Sequence, residues 1–305
     1  MYRKFFGLRE NPFNVNPDPR YLFLTEHTEE ALACLTYGIQ NRRGFVLLTG
    51  EVGTGKTTLV NKLLEWLHRQ HTRTAFLFNP RLSAMQFFDF MMADFGIPCD
   101  SRMKSQMLMR LNQWLLERYK SGETVVLIVD EAQDLSMQML EEIRLLTNLE
   151  TSTEKLLQIV LSGQPELEHT LRQPEVRQLR QRITLRCKTY PLTLAESTGY
   201  IAKRLSIAGG DGQPIFASDA IEAIHHYSRG IPRVINLLCE HSLISAFADQ
   251  VRIVSGATVE AVAREFELHE IEPTAPPRSL RADDWQLREA LQSMATLMDR
   301  LRRTE

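Results

Sequence analysis

Apolar positions along this chain fall into two kinds of block. Unbroken apolar runs cover Phe45 to Thr49, Thr74 to Asn79, Val125 to Val129 and Leu156 to Ser162. Runs of that length suit strands buried on both faces. Between them apolar residues recur at helical spacing, from Thr25 to Asn41, Leu59 to Leu67, Lys104 to Tyr119 and Ser136 to Leu149. A further helix is expected after Ser83, an N-cap residue type, with Phe87, Phe88, Met91 and Met92 as its core stripe. Strands alternating with helices predict a parallel α/β sheet covered on both faces, over residues 25–191.

From Leu192 the strand pattern stops. Thr193 to Ala208, Ser218 to Ser228, Pro232 to Asp249 and Gly256 to Glu267 all read as helices, with Thr193 and Ser218-Asp219 as N-caps. Residues 192–267 are therefore expected to form an all-helical second domain. Residues 1–24, rich in Pro, Asn and aromatics, read as an irregular lead-in. Residues 268–283, LHEIEPTAPPRSLRAD in sequence, read as a linker. Over 284–305 a helical stripe returns, formed by Leu287, Ala290, Leu291, Met294, Leu297, Met298 and Leu301. Such an amphipathic helix can dock on its own domain, pair as a coiled coil or bind a partner.

The chemistry concentrates at two places. Residues 50–57 read GEVGTGKT, placed after a strand and before a helix. Backbone N–H groups of such a loop, at a helix start, form a nest for phosphate oxygens. The cradle comprises Gly50, Glu51, Val52, Gly53, Thr54, Gly55, Lys56, Thr57 and Thr58; its glycines let the backbone turn and approach. Lys56 reaches the β- and γ-phosphates, and Thr57 offers its hydroxyl to Mg²⁺. The second place is VVLIVDEAQ, Val125 to Gln133, a buried strand ending in two acids. Asp130 is assigned to Mg²⁺, mostly through water, and Glu131 to the attacking water, which points to nucleotide hydrolysis rather than nucleotide binding alone.

Composition narrows the setting. Hydrophobic residues make up 43% and charged residues 24%, as in a globular protein, and the formal net charge is -2. No global field attracts nucleic acid or an anionic membrane, which leaves only a local basic patch for such a role. The N-terminus lacks the apolar stretch of a signal peptide, and no run approaches the roughly 18 apolar residues of a membrane span. A cytoplasmic protein is expected, peripheral to the inner membrane if a partner holds it there. Cys34, Cys99, Cys187 and Cys239 lack the spacing of a zinc site or disulfide framework and read as reduced thiols.

The segments FFGLRENPFNVNPDPRYLF, GEVGTGKTT, VVLIVDEAQDL, LSGQPELEHTL, LRQRI and GIPRVIN carry a family likeness. On them, residues 1–267 resemble AAA+ ATPases. Within that class they resemble the ExeA/general secretion pathway protein A family, including relatives beside exosortase and exopolysaccharide loci. The resemblance implies a P-loop sandwich followed by a helical lid, and a homo-oligomer, ring or filament, with sites between neighbouring subunits. Gln164 matches the polar sensor position, with Ser162 as the alternative. Arg177, Arg180 and Arg182 lie just before and within LRQRI; Arg182 matches the arginine finger, with Arg180 as the alternative. Arg233 matches the second sensor arginine, in a helix entry shaped by Gly230 and Pro232. Pro12, Phe13 and Tyr21 are expected to join Ile231 and the lid around the adenine.

The implied activity is Mg²⁺-dependent ATP hydrolysis that drives assembly of a secretion or exopolysaccharide-export machinery. Full-length secretion members continue into a membrane span and a peptidoglycan-binding region that this sequence does not contain. Its amphipathic tail is expected to serve as a handle for an inner-membrane protein instead. The alternative is a DNA-associated ATPase resembling the TniB/TnsC transposition regulators. The near-neutral charge, and the lack of a helix-turn-helix after Glu267, weigh against it. A nucleotide-gated scaffold without turnover is the third reading, and Glu131 beside Asp130 speaks against it.

Overall fold

The structure is a computed structural model that describes residues 2–14, 16–78, 81–99, 101, 103–210 and 212–268. The tail helix, most of the linker and the Asn79 end of the second expected strand lie outside the described residues. In chain order the first half holds α1 (Tyr2–Phe5), α2 (Glu26–Gln40), β1 (Phe45–Thr49), α3 (Lys56–His68), β2 (Thr72–Leu77), α4 (Ala84–Asp94), α5 (Lys104–Lys120) and β3 (Thr124–Val129). Then come α6 (Met137–Leu146), β4 (Leu157–Gly163), α7 (Pro165–Leu171), α8 (Arg177–Arg182), β5 (Ile183–Lys188), α9 (Leu194–Ile207), α10 (Ser218–Ser228), α11 (Pro232–Ala248) and α12 (Gly256–Glu265). The described chain divides into two units. Among the described residues, one comprises 26–51 and 59–189; the other gathers 2–25, 52–58 and 190–268.

The first unit is an α/β sandwich. Its five strands are all parallel, in the order β2-β3-β4-β1-β5. Alternate side chains of the central strands, Phe45, Leu47, Leu127 and Ile159, enter a core with Phe87, Met91, Leu111 and Leu140 from α4, α5 and α6. On the opposite face Val46 and Leu185 meet Gly38 of α2. Ser83 caps α4 in a reciprocal capping box with Gln86, which satisfies two donors that the helix leaves open. Burial on both faces explains the unbroken apolar runs of β1, β3 and β4. β5 departs from that pattern: Thr184, Arg186 and Lys188 are exposed on alternate positions of an edge strand. Its half-polar sequence therefore gave no apolar run to read.

The second unit is helical. α9 to α12 bury Tyr200, Ile224, Ile235, Leu238, Leu243 and Val259 in one core. Thr193 caps α9 in a second capping box, with Glu196. The cap expected at Ser218-Asp219 is placed differently. Ala217 is the N-cap of α10, and Asp219 instead accepts the backbone N–H of Gly256 at 2.8 Å, tying α10 to the start of α12. The lead-in is folded onto this helical core. Tyr2 Oη donates to Glu240 of α11 at 2.8 Å, and the buried Arg204 guanidinium donates to the carbonyls of Pro12 and Asn14. Among the described residues no helix is long and apolar enough to cross a membrane.

Candidate nucleotide site

The loop from Gly50 to Gly55 leaves the C-terminal end of β1 and enters α3 at Lys56. Its departure point is pinned three ways. Gly50 N–H donates to the Gly163 carbonyl at 3.3 Å, Thr189 N–H donates to the Thr49 carbonyl at 2.9 Å, and Thr49 Oγ1 donates to Glu168 Oε1 at 2.7 Å. Lys56, Thr57 and Thr58 form the first turn of α3, where helix N–H groups have no partner within the helix and the dipole favours an anion. Thr54 and Lys56 are buried, whereas Glu51 and Val52 are exposed.

Gly53 and Gly55 hold φ values of +81° and +95°, the left-handed region that suits glycine. Gly53 also lies against the entry of α11. Its carbonyl accepts the Arg233 N–H at 3.2 Å, and a Cβ there would stand 2.7 Å from Arg233 Cβ and 3.0 Å from Ile231 Cγ2. The phosphate loop, Ile231 and Arg233, separate in the sequence, are thus brought together. Gly230 shapes that entry at φ +72°, where a Cβ would fall 1.9 Å from the Leu192 carbonyl oxygen. Pro232 then opens α11, and the Arg233 side chain is exposed.

Asp130 and Glu131 follow β3 at the same sheet edge. Asp130 is 3% exposed, and its Oδ1 accepts the Ser162 hydroxyl at 2.7 Å and the Glu131 N–H at 3.1 Å. Ser162 is therefore engaged with the Asp130 carboxylate. Gln164 Nε2 approaches Glu131 Oε2 at 3.4 Å, and Gln133 Nε2 donates to the same oxygen at 2.7 Å. Gln133 lies in the motif yet carried no assignment from sequence; its position two residues past Glu131, in the turn Ala132–Asp134, was the available signal. Among the described residues no cluster of three or more His, Cys, Asp or Glu forms a protein-only metal cage. A carboxylate such as that of Asp130 and a hydroxyl such as that of Thr57 are each oxygen donors of the hard type that Mg²⁺ takes, together with waters and phosphate oxygens.

The remaining residues fall elsewhere. Arg182 Nη1 donates to Asn148 Oδ1 at 2.8 Å, to Thr147 Oγ1 and to the Arg144 carbonyl, at the C-terminal end of α6. A cation there complements the helix dipole. Arg180, two residues earlier on α8, is exposed, as is Arg177. Phe13 is 1% exposed and packs edge-to-face on Phe216, so its ring is core of the helical unit rather than a wall for a base. Pro12 is buried as well. Tyr21 is also buried: its hydroxyl donates to Glu10 Oε1 at 3.0 Å, and the Arg204 guanidinium lies 4.5 Å from its ring centre.

Residues 39–171 match the AAA domain family. Over 249 residues the chain is 48% identical to General secretion pathway protein A of Aeromonas hydrophila, a match that covers 81% of this chain and 45% of that protein. The chain thus spans less than half the length of that relative. Among solved structures it is similar to the Aeropyrum pernix ORC2 protein in its ADPNP-ADP complexes, with TM-score 0.63, 17% identity and coverage of 84% of this chain and 71% of that one. Cdc6p from Pyrobaculum aerophilum gives TM-score 0.63 and 18% identity, covering 86% and 70%. The Thermotoga maritima RuvB Holliday junction branch migration motor gives TM-score 0.51 and 16% identity, covering 80% and 70%. At these identities the solved structures establish the fold: a P-loop AAA+ sandwich.

Proposed function

We propose that this chain, which belongs to the general secretion pathway protein A family of AAA ATPases, is a Mg²⁺-dependent ATP hydrolase that oligomerises and drives assembly of a secretion or exopolysaccharide-export machinery. The observation that carries the reading is the pair of acids after β3, each held by its own partner: Asp130 by Ser162, and Glu131 by Gln133 and Gln164. A chain that only binds nucleotide has no need of a second carboxylate oriented by amides.

In this reading the backbone of Gly50 to Gly55 and the first turn of α3 receive the phosphates, and Lys56 neutralises the β/γ oxygens. Thr57 and Asp130 would hold Mg²⁺, which would supply charge neutralisation at the transferring phosphoryl. Ser162 orients Asp130, as partners of metal-ligating carboxylates do. Glu131 takes the proton of the attacking water, and Gln164 reads the γ-phosphate. Arg233 contacts phosphate from the same chain. Arg180, exposed on α8, reaches the neighbouring subunit's nucleotide, in preference to the engaged Arg182. The protein partner is membrane-bound, in keeping with the secretion name of the Aeromonas relative.

Steady-state turnover with Mg²⁺, measured across protein concentrations, tests this. Turnover per subunit should rise as the protein assembles, and Glu131→Gln should bind ATP normally while hydrolysing none. Absence of turnover at every concentration would end the hydrolase reading.

A further inference from the structure

Gln133 uses the two ends of one amide on two different segments. Its Nε2 donates to Glu131 Oε2 at 2.7 Å, and its Oε1 accepts the backbone N–H of Gln164 at 3.0 Å. A carboxylate only accepts and a backbone N–H only donates, so the amide has one workable orientation. Room for it comes from Gly163, where a Cβ would stand 3.0 Å from Gln133 Oε1 and 3.3 Å from its backbone nitrogen. Glu131 itself sits at φ 52° and ψ 37°. A non-glycine residue in that region is strained and persists only where its surroundings over-determine it. The turn Ala132–Asp134, closed by the Asp134 N–H on the Glu131 carbonyl at 3.0 Å, supplies part of that constraint. The Gln133 amide supplies the side-chain part.

We propose that Gln133 is a positioning residue: it ties the Glu131 carboxylate to the backbone that follows β4, so that any shift of Gln164 against a γ-phosphate is passed to the group that activates water. The inference deepens the hydrolase reading and rests on it. In this role Gln133 acts through Glu131, whose carboxylate oxygen it holds at 2.7 Å. Because the link runs through backbone at Gln164 as well as through the Gln164 side chain, the sensing segment holds the carboxylate by two routes. Only one of these is lost when Gln164 is changed.

Two variants separate the arms. Gln133→Met keeps the chain length and removes both hydrogen bonds. Gln133→Glu keeps an acceptor for the Gln164 N–H but sets a negative charge against Glu131. Displacing a reacting group by about 1 Å lowers rate on the order of 100-fold. Both variants should therefore lose about 10- to 100-fold in single-turnover hydrolysis, with nucleotide Kd within about twofold of the parent. Hydrogen–deuterium exchange at the Gln164 amide should accelerate in Gln133→Met and stay slow in Gln133→Glu. Hydrolysis within twofold of the parent in both variants, or Kd weakening in step with rate, would overturn the positioning role. The exchange measurement needs no turnover. If the parent protein hydrolyses nothing, the hydrolase reading falls; if exchange at Gln164 is unchanged in Gln133→Met, the tie itself falls.

Discussion

Arg233 donates its backbone N–H to the Gly53 carbonyl at 3.2 Å, which fixes the tip of the phosphate loop on the first turn of α11. The contact depends on the absence of a side chain at position 53, since a Cβ would meet Arg233 Cβ at 2.7 Å. Gly53→Ala must shift the loop or the helix entry, and it also forces alanine to φ +81°. Strain of about 1–3 kcal/mol converts to a loss of roughly 5- to 150-fold in nucleotide affinity. A fluorescent-nucleotide titration reads this directly. Arg233→Ala keeps the backbone N–H, so it should leave affinity closer to the parent while lowering turnover. Equal affinity losses in both variants would show that the guanidinium, not the loop contact, dominates.

Ser162 gives a second test. Its hydroxyl is fully buried and donates to Asp130 Oδ1 at 2.7 Å. Ser162→Ala removes that donor and leaves the carboxylate less restrained. Changes of this kind cost about 10- to 100-fold in metal affinity or activity. The expected signature is a higher Mg²⁺ concentration for half-maximal turnover with ATP affinity little changed. An unaltered Mg²⁺ dependence would return Ser162 to the role of sensor.

How far the site was legible from the chain follows from what each residue must satisfy. β1, β3 and β4 are buried on both faces, so their apolar runs and the acids that end them stand out. β5 lies at the sheet edge and reads as half polar, and α7 and α8 have 7 and 6 residues, too few for a periodicity. The phosphate loop and the GIPR entry to α11 declare themselves through glycines and proline, because their backbone geometry excludes most other residues. Partner choice is another matter. Nothing local distinguishes an arginine that caps α6, as Arg182 does, from an exposed one such as Arg180. The lead-in aromatics likewise reveal their destination only in three dimensions, where Phe13 meets Phe216.

The two arginines of α8 should accordingly behave differently. Arg182→Ala strips donors from the end of α6 and should destabilise the protein by about 1–2 kcal/mol, visible as a lower Tm. Arg180→Ala should leave Tm unchanged and lower assembled turnover, by about 1,000-fold or more if it serves as the finger. Mixing Arg180→Ala with Lys56→Ala subunits should then restore part of the activity, since each supplies what the other lacks. A drop in turnover from Arg182→Ala at unchanged Tm, with Arg180→Ala neutral, would move the finger back to Arg182.

Glu168 of α7 joins the start of the phosphate loop to the end of β5. Its Oε1 accepts from Thr49 Oγ1 at 2.7 Å and lies 2.8 Å from Lys188 Nζ. Burial alone would raise its pKa, but the hydrogen bonds from Lys188 and Thr49 outweigh burial and hold it below the usual carboxylate range. A folded-state pKa below the unfolded one means stability present at neutral pH and lost as pH falls through the lowered folded value. The difference in Tm between the parent and Glu168→Gln should thus be largest near neutrality. It should shrink below about pH 4.3, where an unperturbed glutamate protonates. Because every other titrating group is common to both proteins, the difference isolates this carboxylate. A gap that stays constant through the acid range would mean that Glu168 acts by shape rather than by charge.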